Sequence, residues 1–287
     1  MYDKKIRLGF QEARNITKKF ARTFYLASLF LPKNKKYASY AVYAICRLSD
    51  EAVDCSASLG QNENLQELEL KISQAYTEKQ INEPLLAAFS RTVNTYKIPK
   101  EYFDTLTRGM RMDLEIKRYK DFTSLYEYCY RVAGVVGLIM LKIFGYKDSS
   151  AEEAAIKLGV AMQLTNILRD IKEDLERKRI YLPQDEMARF NISEQQLSSG
   201  NVDEKFREFL RFQIKRCRQF YTDSSQGIKL INSPLCRFVV LCMKEVYSGI
   251  LEGIERNNYN VFTVRAQVGK LKKAGIILKI LLERKYL

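Results

Sequence analysis

Apolar positions recur every three to four residues along nearly the whole chain, and strict apolar–polar alternation is almost absent. That periodicity belongs to helices with one buried stripe rather than to half-buried strands. It predicts helices over residues 3–20, 35–57, 63–77, 84–96, 100–116, 122–144, 150–176, 203–225, 234–257 and 264–285. Ser150 with Glu153 reads as a capping box, and Pro99 and Pro183 stand where first-turn prolines are tolerated. Residues 184–200 read as short helical turns joined by polar loops. With no repeat of fixed period and no low-complexity linker, the expectation is a single all-α domain over 1–287.

Two of these helices carry little charge. One runs from Tyr128 to Met140, and its small residues Ala133, Gly134 and Gly137 would admit a helix or a ligand at close range. A tightly packed core helix and the wall of a long apolar cavity both account for it, and the two are compatible. The other, Lys157–Leu168, leads its apolar face straight into a cluster of acids, which suits an amphiphile with a charged head and a hydrocarbon tail.

That cluster, Asp170-Ile171-Lys172-Glu173-Asp174, has a counterpart 120 residues earlier in Asp50-Glu51-Ala52-Val53-Asp54. Each places aspartates at i and i+4, a spacing that stacks like charges about 6 Å apart on one helix face. A hard divalent cation would compensate, and Mg2+ takes carboxylate oxygens and is usually completed by substrate phosphate. One such pair is common on ordinary acidic faces; two matched pairs favour facing metal clamps. Tyr43, Arg47, Asp50 and Asp54 share one stripe, for which an exposed Arg–Asp salt-bridge row is the plainer alternative. Gln163, Asn166, Asp170 and Asp174 share another, where the amides offer both donors and acceptors.

Composition narrows the chemistry. The chain has no histidine, which removes Ser-His-Asp and Cys-His catalysis and His-liganded zinc and leaves carboxylates, Tyr, Lys, Arg or a metal. The net charge of +14 fits a solvated basic surface, polyphosphate ligands, an anionic membrane or nucleic acid. A nucleic-acid module would leave the aspartates without a role. Cys46, Cys55, Cys129, Cys217, Cys236 and Cys242 form no CxxC pair and read as small core residues in a reducing compartment. The N-terminal residues read as the start of a charged helix rather than as a secretory leader, and no apolar run reaches about 18 residues. A cytoplasmic protein is expected. The basic, apolar run 270–282 reads as a packed terminal helix, with docking on the inner membrane face as the alternative.

Several blocks resemble the squalene/phytoene synthase family of head-to-head prenyl transferases. Tyr43-Ala44-Ile45-Cys46-Arg47 followed by Asp50 to Asp54 resembles its first aspartate motif. Gln163 to Asp174, followed by Arg179-Ile180-Tyr181-Leu182-Pro183, resembles its second. Gly109 to Leu114, Tyr128 to Gly134, and Asn258 to Thr263 with Arg265 resemble further blocks, the first two especially on the phytoene side of the family. The resemblance runs from about residue 17 to 275, in order.

It implies an isoprenoid-synthase helical bundle around a central apolar cavity that takes two prenyl diphosphates. By that analogy Asp50, Asp54, Asn166, Asp170 and Asp174 bind Mg2+ (or Mn2+), with Gln163 nearby. Arg47, Arg169 and Arg265 would contact diphosphate, Thr23 and Phe24 would form an N-terminal flap, and Tyr43, Tyr130 and Tyr247 would line the site. Asp113 stays open between a site role and a salt bridge to Arg108 or Arg111. The implied reaction joins two C20 geranylgeranyl diphosphates through a cyclopropylcarbinyl diphosphate to phytoene, in carotenoid biosynthesis and without NADPH. The alternative joins two C15 farnesyl diphosphates to dehydrosqualene or squalene.

Overall fold

The computed structural model describes residues 3–54, 60–78 and 80–284; Cys55 and the side chain of Asp54 lie outside the described residues. The helices are α1 (Lys4–Phe20), α2 (Arg22–Ser28), α3 (Lys33–Asp54), α4 (Gln61–Thr77), α5 (Pro84–Tyr96), α6 (Lys100–Glu115), α7 (Phe122–Cys129) and α8 (Val135–Phe144). They continue with α9 (Ser150–Arg169), α10 (Ile171–Glu176), α11 (Gln184–Arg189), α12 (Glu194–Ser199), α13 (Glu204–Asp223), α14 (Ser225–Ile228), α15 (Pro234–Arg256) and α16 (Lys270–Glu283). No strand occurs among the described residues. The all-α expectation holds, and the short turns expected over 184–200 are α11 and α12.

Helix α9 is the central strut and packs against α8, α13, α14 and α15. Small residues make the closest of these contacts. A Cβ on Gly159 would lie 2.2 Å from the Ala133 carbonyl oxygen, and one on Gly137 2.3 Å from that of Ala155. The backbones therefore touch directly, as the run Ala133–Gly137 suggested. Gly159→Ala is expected to lose about 1–3 kcal/mol of stability through overpacking, read as a lowered midpoint in thermal or urea denaturation.

The structure departs from the expected elements in five places. Residues 122–144 are not one helix: Tyr130–Gly134 form a π turn, in which the Val135 N–H bonds to the Tyr130 carbonyl. This widened turn sits where α9 approaches most closely, with Gly134 facing Ile156. Residues 150–176 break at Asp170 (φ −105°, ψ 21°), which ends α9 and begins α10. The start of α9 is held by Asp148, whose Oδ1 accepts the Ser150 N–H at 2.8 Å, instead of by a Ser150–Glu153 capping box. Helix α16 begins at Lys270 rather than 264. Ahead of it Ala266 and Val268 are buried while Gln267 is exposed, the alternation of an extended segment laid against Gly253 and Gly249 of α15. Finally, α2 was not anticipated: it is only seven residues long, too short for a periodic signal.

Candidate active site

A cavity of about 390 Å³ runs inside the bundle. Its wall on α9 extends from Ala151 to Asn166, about 22 Å at 1.5 Å per residue. The deep part is apolar, formed by Leu141 and Phe144 of α8, Ile228, Ile231, and Val239 and Val240 of α15. Ala133, Val136, Gly137 and Gly159 also line it, so the low-charge helices serve both as tight packing and as cavity wall. Polar groups gather at one end: Tyr43 and Asp50 from α3, Gln163 and Asn166 from α9, and Tyr247 from α15.

Tyr43 and Tyr247 connect the two acidic motifs. Burial pushes the Tyr43 hydroxyl up to about 12, with Arg47 opposing and Asp50 and Tyr247 adding to the shift. Burial likewise raises Tyr247, which senses Arg169, Asp170 and Arg265. Both tyrosines therefore stay protonated at neutral pH and present neutral rings and O–H donors. Phe24 lines the cavity beside Tyr43, their ring centroids 6.1 Å apart. Thr23, on the same short helix, accepts a hydrogen bond from Lys273 of α16 at 2.7 Å. Sequence pattern could not have found Lys273, because that contact spans 250 residues.

Helix α3 brings Arg47 and Glu51 together: the guanidinium donates to the carboxylate at 3.1 Å and lies over the Phe20 ring at 4.5 Å. Glu51, which the spacing left unassigned, thus positions Arg47. On the opposite wall the Asn166 amide donates to Gln163 at 3.4 Å, while its buried Oδ1 has no hydrogen-bond partner among the described residues.

The break at α9–α10 separates residues that a continuous helix would have aligned. Asp170 and Asp174 do not line the main cavity with Gln163 and Asn166. Asp170 is gripped by Arg169 through two hydrogen bonds and by Arg265 at 2.8–2.9 Å. Arg265 also reaches Glu173 at 3.2 Å. Asp174 lies deeper, beside Arg179 and Tyr181. Burial, and after it the charge of Asp170, raise its carboxyl from 3.8 to about 7.

Two further expectations change. Tyr130 does not line the cavity; it opens the π turn, and Tyr128 takes the lining place instead. Asp113 is buried in the wall and accepts hydrogen bonds from the hydroxyls of Tyr128 at 3.0 Å and Tyr181 at 2.6 Å. Arg108 and Arg111 turn to Thr105 and Glu69, so neither anticipated salt bridge forms. Tyr128 and Tyr181 stood in the quoted motifs, but their link to Asp113 depends on tertiary packing.

The donor set fits a hard divalent cation. Asn166 keeps an unsatisfied buried oxygen, and Asp174 is a desolvated carboxyl that a cation would hold ionised. Among the described residues no three carboxylates converge.

Comparison with known proteins agrees with this architecture. The squalene/phytoene synthase family profile matches residues 17–272. A phytoene synthase from Arthrospira platensis is 42% identical over 92% of this chain and 90% of its own length. A 15-cis-phytoene synthase from Synechococcus elongatus is 38% identical over the same shares. The crystal structure of a dehydrosqualene synthase in complex with ligand superposes with a TM-score of 0.91 at 30% identity, over 98% of each chain. With its helical fold and a match over nearly its whole length, the chain belongs to the squalene/phytoene synthase family.

Proposed function

We propose that this protein is a prenyl transferase that condenses two geranylgeranyl diphosphates head to head into phytoene, in carotenoid biosynthesis. One observation carries the reading: a long apolar cavity ends at a polar mouth where Tyr43 and Tyr247 bridge two acidic motifs. The phytoene synthases among its relatives support the C20 substrate over the C15 one. Mg2+, or Mn2+ in its place, would be held by Asp50, Asp54, Asn166, Asp170 and Asp174. When bound, it neutralises the diphosphate so that this group can leave.

The chain's own residues carry the remaining work. Arg47, Arg169 and Arg265 supply planar forks for diphosphate oxygens. Each is already pre-aligned by a carboxylate, Arg47 by Glu51 and the other two by Asp170. Breakage of the allylic C–O bond leaves a cation, which the double bond of the second substrate captures with loss of a proton. The resulting cyclopropylcarbinyl diphosphate ionises in turn and rearranges. Loss of a proton from the joined centre then gives the hydrocarbon, so NADPH is not needed. The apolar walls keep water from the cations. The rings of Tyr43, Tyr247 and Phe24 add attraction of about 1–2 kcal/mol for each close contact.

Chain length is tested by shortening the cavity. Val240 lies seven residues before Tyr247 on α15 and lines the deep part, about 10 Å from the mouth. Val240→Phe is expected to lower kcat/KM for geranylgeranyl diphosphate at least tenfold while sparing farnesyl diphosphate. Equal losses on both substrates would contradict a length-reading cavity.

A further inference from the structure

Phe20 is the last residue of α1, and its ring is 42% exposed beside the cavity mouth. Ala21 and Phe24 line the cavity, and Phe20 does not. A single exposed apolar side chain needs no explanation by itself; what gathers on this one does. The Arg47 guanidinium of α3 lies 4.5 Å from the ring centroid, and the Lys19 ammonium lies 4.8 Å from it. Both distances fall within the range in which an aromatic face attracts a cation. Two cations collected on one exposed ring suit a place where an anion is to be bound.

The backbone brings the ring to this place. Ala21 is non-helical (φ −126°, ψ 57°) and breaks the chain between α1 and α2. Beyond the break the Phe24 ring meets Tyr43 of α3, their centroids 6.1 Å apart. Phe20 with Arg47 and Phe24 with Tyr43 are therefore two matched pairs. The partners are four residues apart on each segment and run in opposite directions, so one face of α3 serves both. The corner between α1 and α2 is thus set in register on the Tyr43–Arg47 stripe from either side of Ala21.

Arg47 gains most from that support. Its side chain is 30% exposed, and a long side chain at such a site loses rotamer freedom when it binds. Glu51 accepts a hydrogen bond from its Nε at 3.1 Å, which fixes one edge of the guanidinium but not its plane. Stacking on the Phe20 ring fixes the plane as well. The contact with Glu51 does not use the two terminal nitrogens, the edge that grips a pair of phosphate oxygens. Ring and carboxylate together therefore align the cation without occupying that edge.

We infer that Phe20 is a positioning residue: its ring, together with Glu51, holds the Arg47 guanidinium in the orientation that receives a diphosphate. That Arg47 meets diphosphate rests on the function proposed above; the stacking itself does not. The test begins without turnover, by calorimetric titration of inorganic diphosphate in the presence of Mg2+. Phe20→Leu, which keeps apolar bulk but loses the aromatic face, should weaken binding by about three- to tenfold. Phe20→Trp should bind as wild type does, because indole offers the stronger face. In an Arg47→Gln background Phe20→Leu should cost nothing further, an outcome that a merely structural role would not give. Phe30→Leu, at an equally exposed ring that meets Phe238 edge-on at 5.0 Å, should leave binding unchanged. Thermal melts establish that each variant is folded. With geranylgeranyl diphosphate, kcat/KM should follow the same order. The inference is overturned if wild type binds no diphosphate, or if Phe20→Leu binds as wild type does. It is also overturned if Phe20→Trp loses as much as Phe20→Leu, or if the loss persists without Arg47. Diphosphate binding that depends on Phe20, with no hydrocarbon formed from either prenyl diphosphate, would remove the proposed function and leave this role standing. Phytoene formation undiminished in Phe20→Leu would do the reverse.

Discussion

Asp170→Ala is expected to lower kcat by at least ~10³, about 4 kcal/mol of transition-state stabilisation, while the melting temperature changes by no more than a few degrees. Asp170 accepts hydrogen bonds from Arg169 and Arg265, and its charge bears on both Tyr247 and Asp174. Removing it would withdraw a proposed metal ligand and release both cations from their alignment. Asp50→Ala should lose activity to the same degree from the facing helix, where Asp50 lines the cavity mouth and acts on Tyr43. The two roles of Asp170 can be separated with Asp170→Asn, which keeps an acceptor for the arginines but loses the carboxylate. Steady-state kinetics on Asp170→Asn should resemble those of the alanine variant; recovery toward wild-type rates would leave Asp170 as an arginine anchor alone.

The second large effect is on stability and grows with pH. The Asp174 carboxyl titrates near 7 in the folded chain, chiefly through burial and next through Asp170. In the unfolded chain it returns to the ordinary carboxylate range near 4. Between those values the folded state holds a proton that the unfolded state has lost, so stability falls as pH rises, and the whole penalty is present above about 7. At pH 5 only the first part of that penalty has built up, so Asp174→Asn should stabilise less there than at pH 8. At pH 8 and without metal the amide removes the penalty, and the melting temperature should rise by about 2 °C or more. Mg2+ should then stabilise wild type at pH 8 but have a much weaker effect on Asp174→Asn. Calorimetric scans at the two pH values, with EDTA and with Mg2+, measure all four cases. A variant destabilised at pH 8 would contradict a strained, cation-seeking carboxylate.

Much of this molecule can be read from its sequence, and the failures have physical causes. Long amphipathic helices such as α6 and α13 announce themselves because one face is buried along their whole length. Gly137 was legible as a close-approach position, whereas its counterpart Gly159, equally close to a carbonyl, stood out only in the structure. The i, i+4 aspartates located the second motif, but the rule assumes a continuous helix. It therefore placed Asp170 and Asp174 on the same face as Gln163 and Asn166. Asp170 ends the helix, and the pull of Arg265 comes from 95 residues away. Tyr130, assigned by resemblance alone, opens the π turn, and Tyr128 of the same block lines the cavity. Glu51, to which the spacing gave no role, orients Arg47 in the structure. Contacts such as Asp113 with Tyr128 and Tyr181, or Lys273 with Thr23, have no local signature, because folding alone brings them together.

The most direct measurement is to incubate the purified protein with geranylgeranyl diphosphate and Mg2+, without NADPH, and identify the hydrocarbon by mass spectrometry. Formation of phytoene, abolished by EDTA and restored by Mg2+, is the predicted result. A C30 hydrocarbon formed only from farnesyl diphosphate, or arrest at the cyclopropylcarbinyl diphosphate, would contradict it.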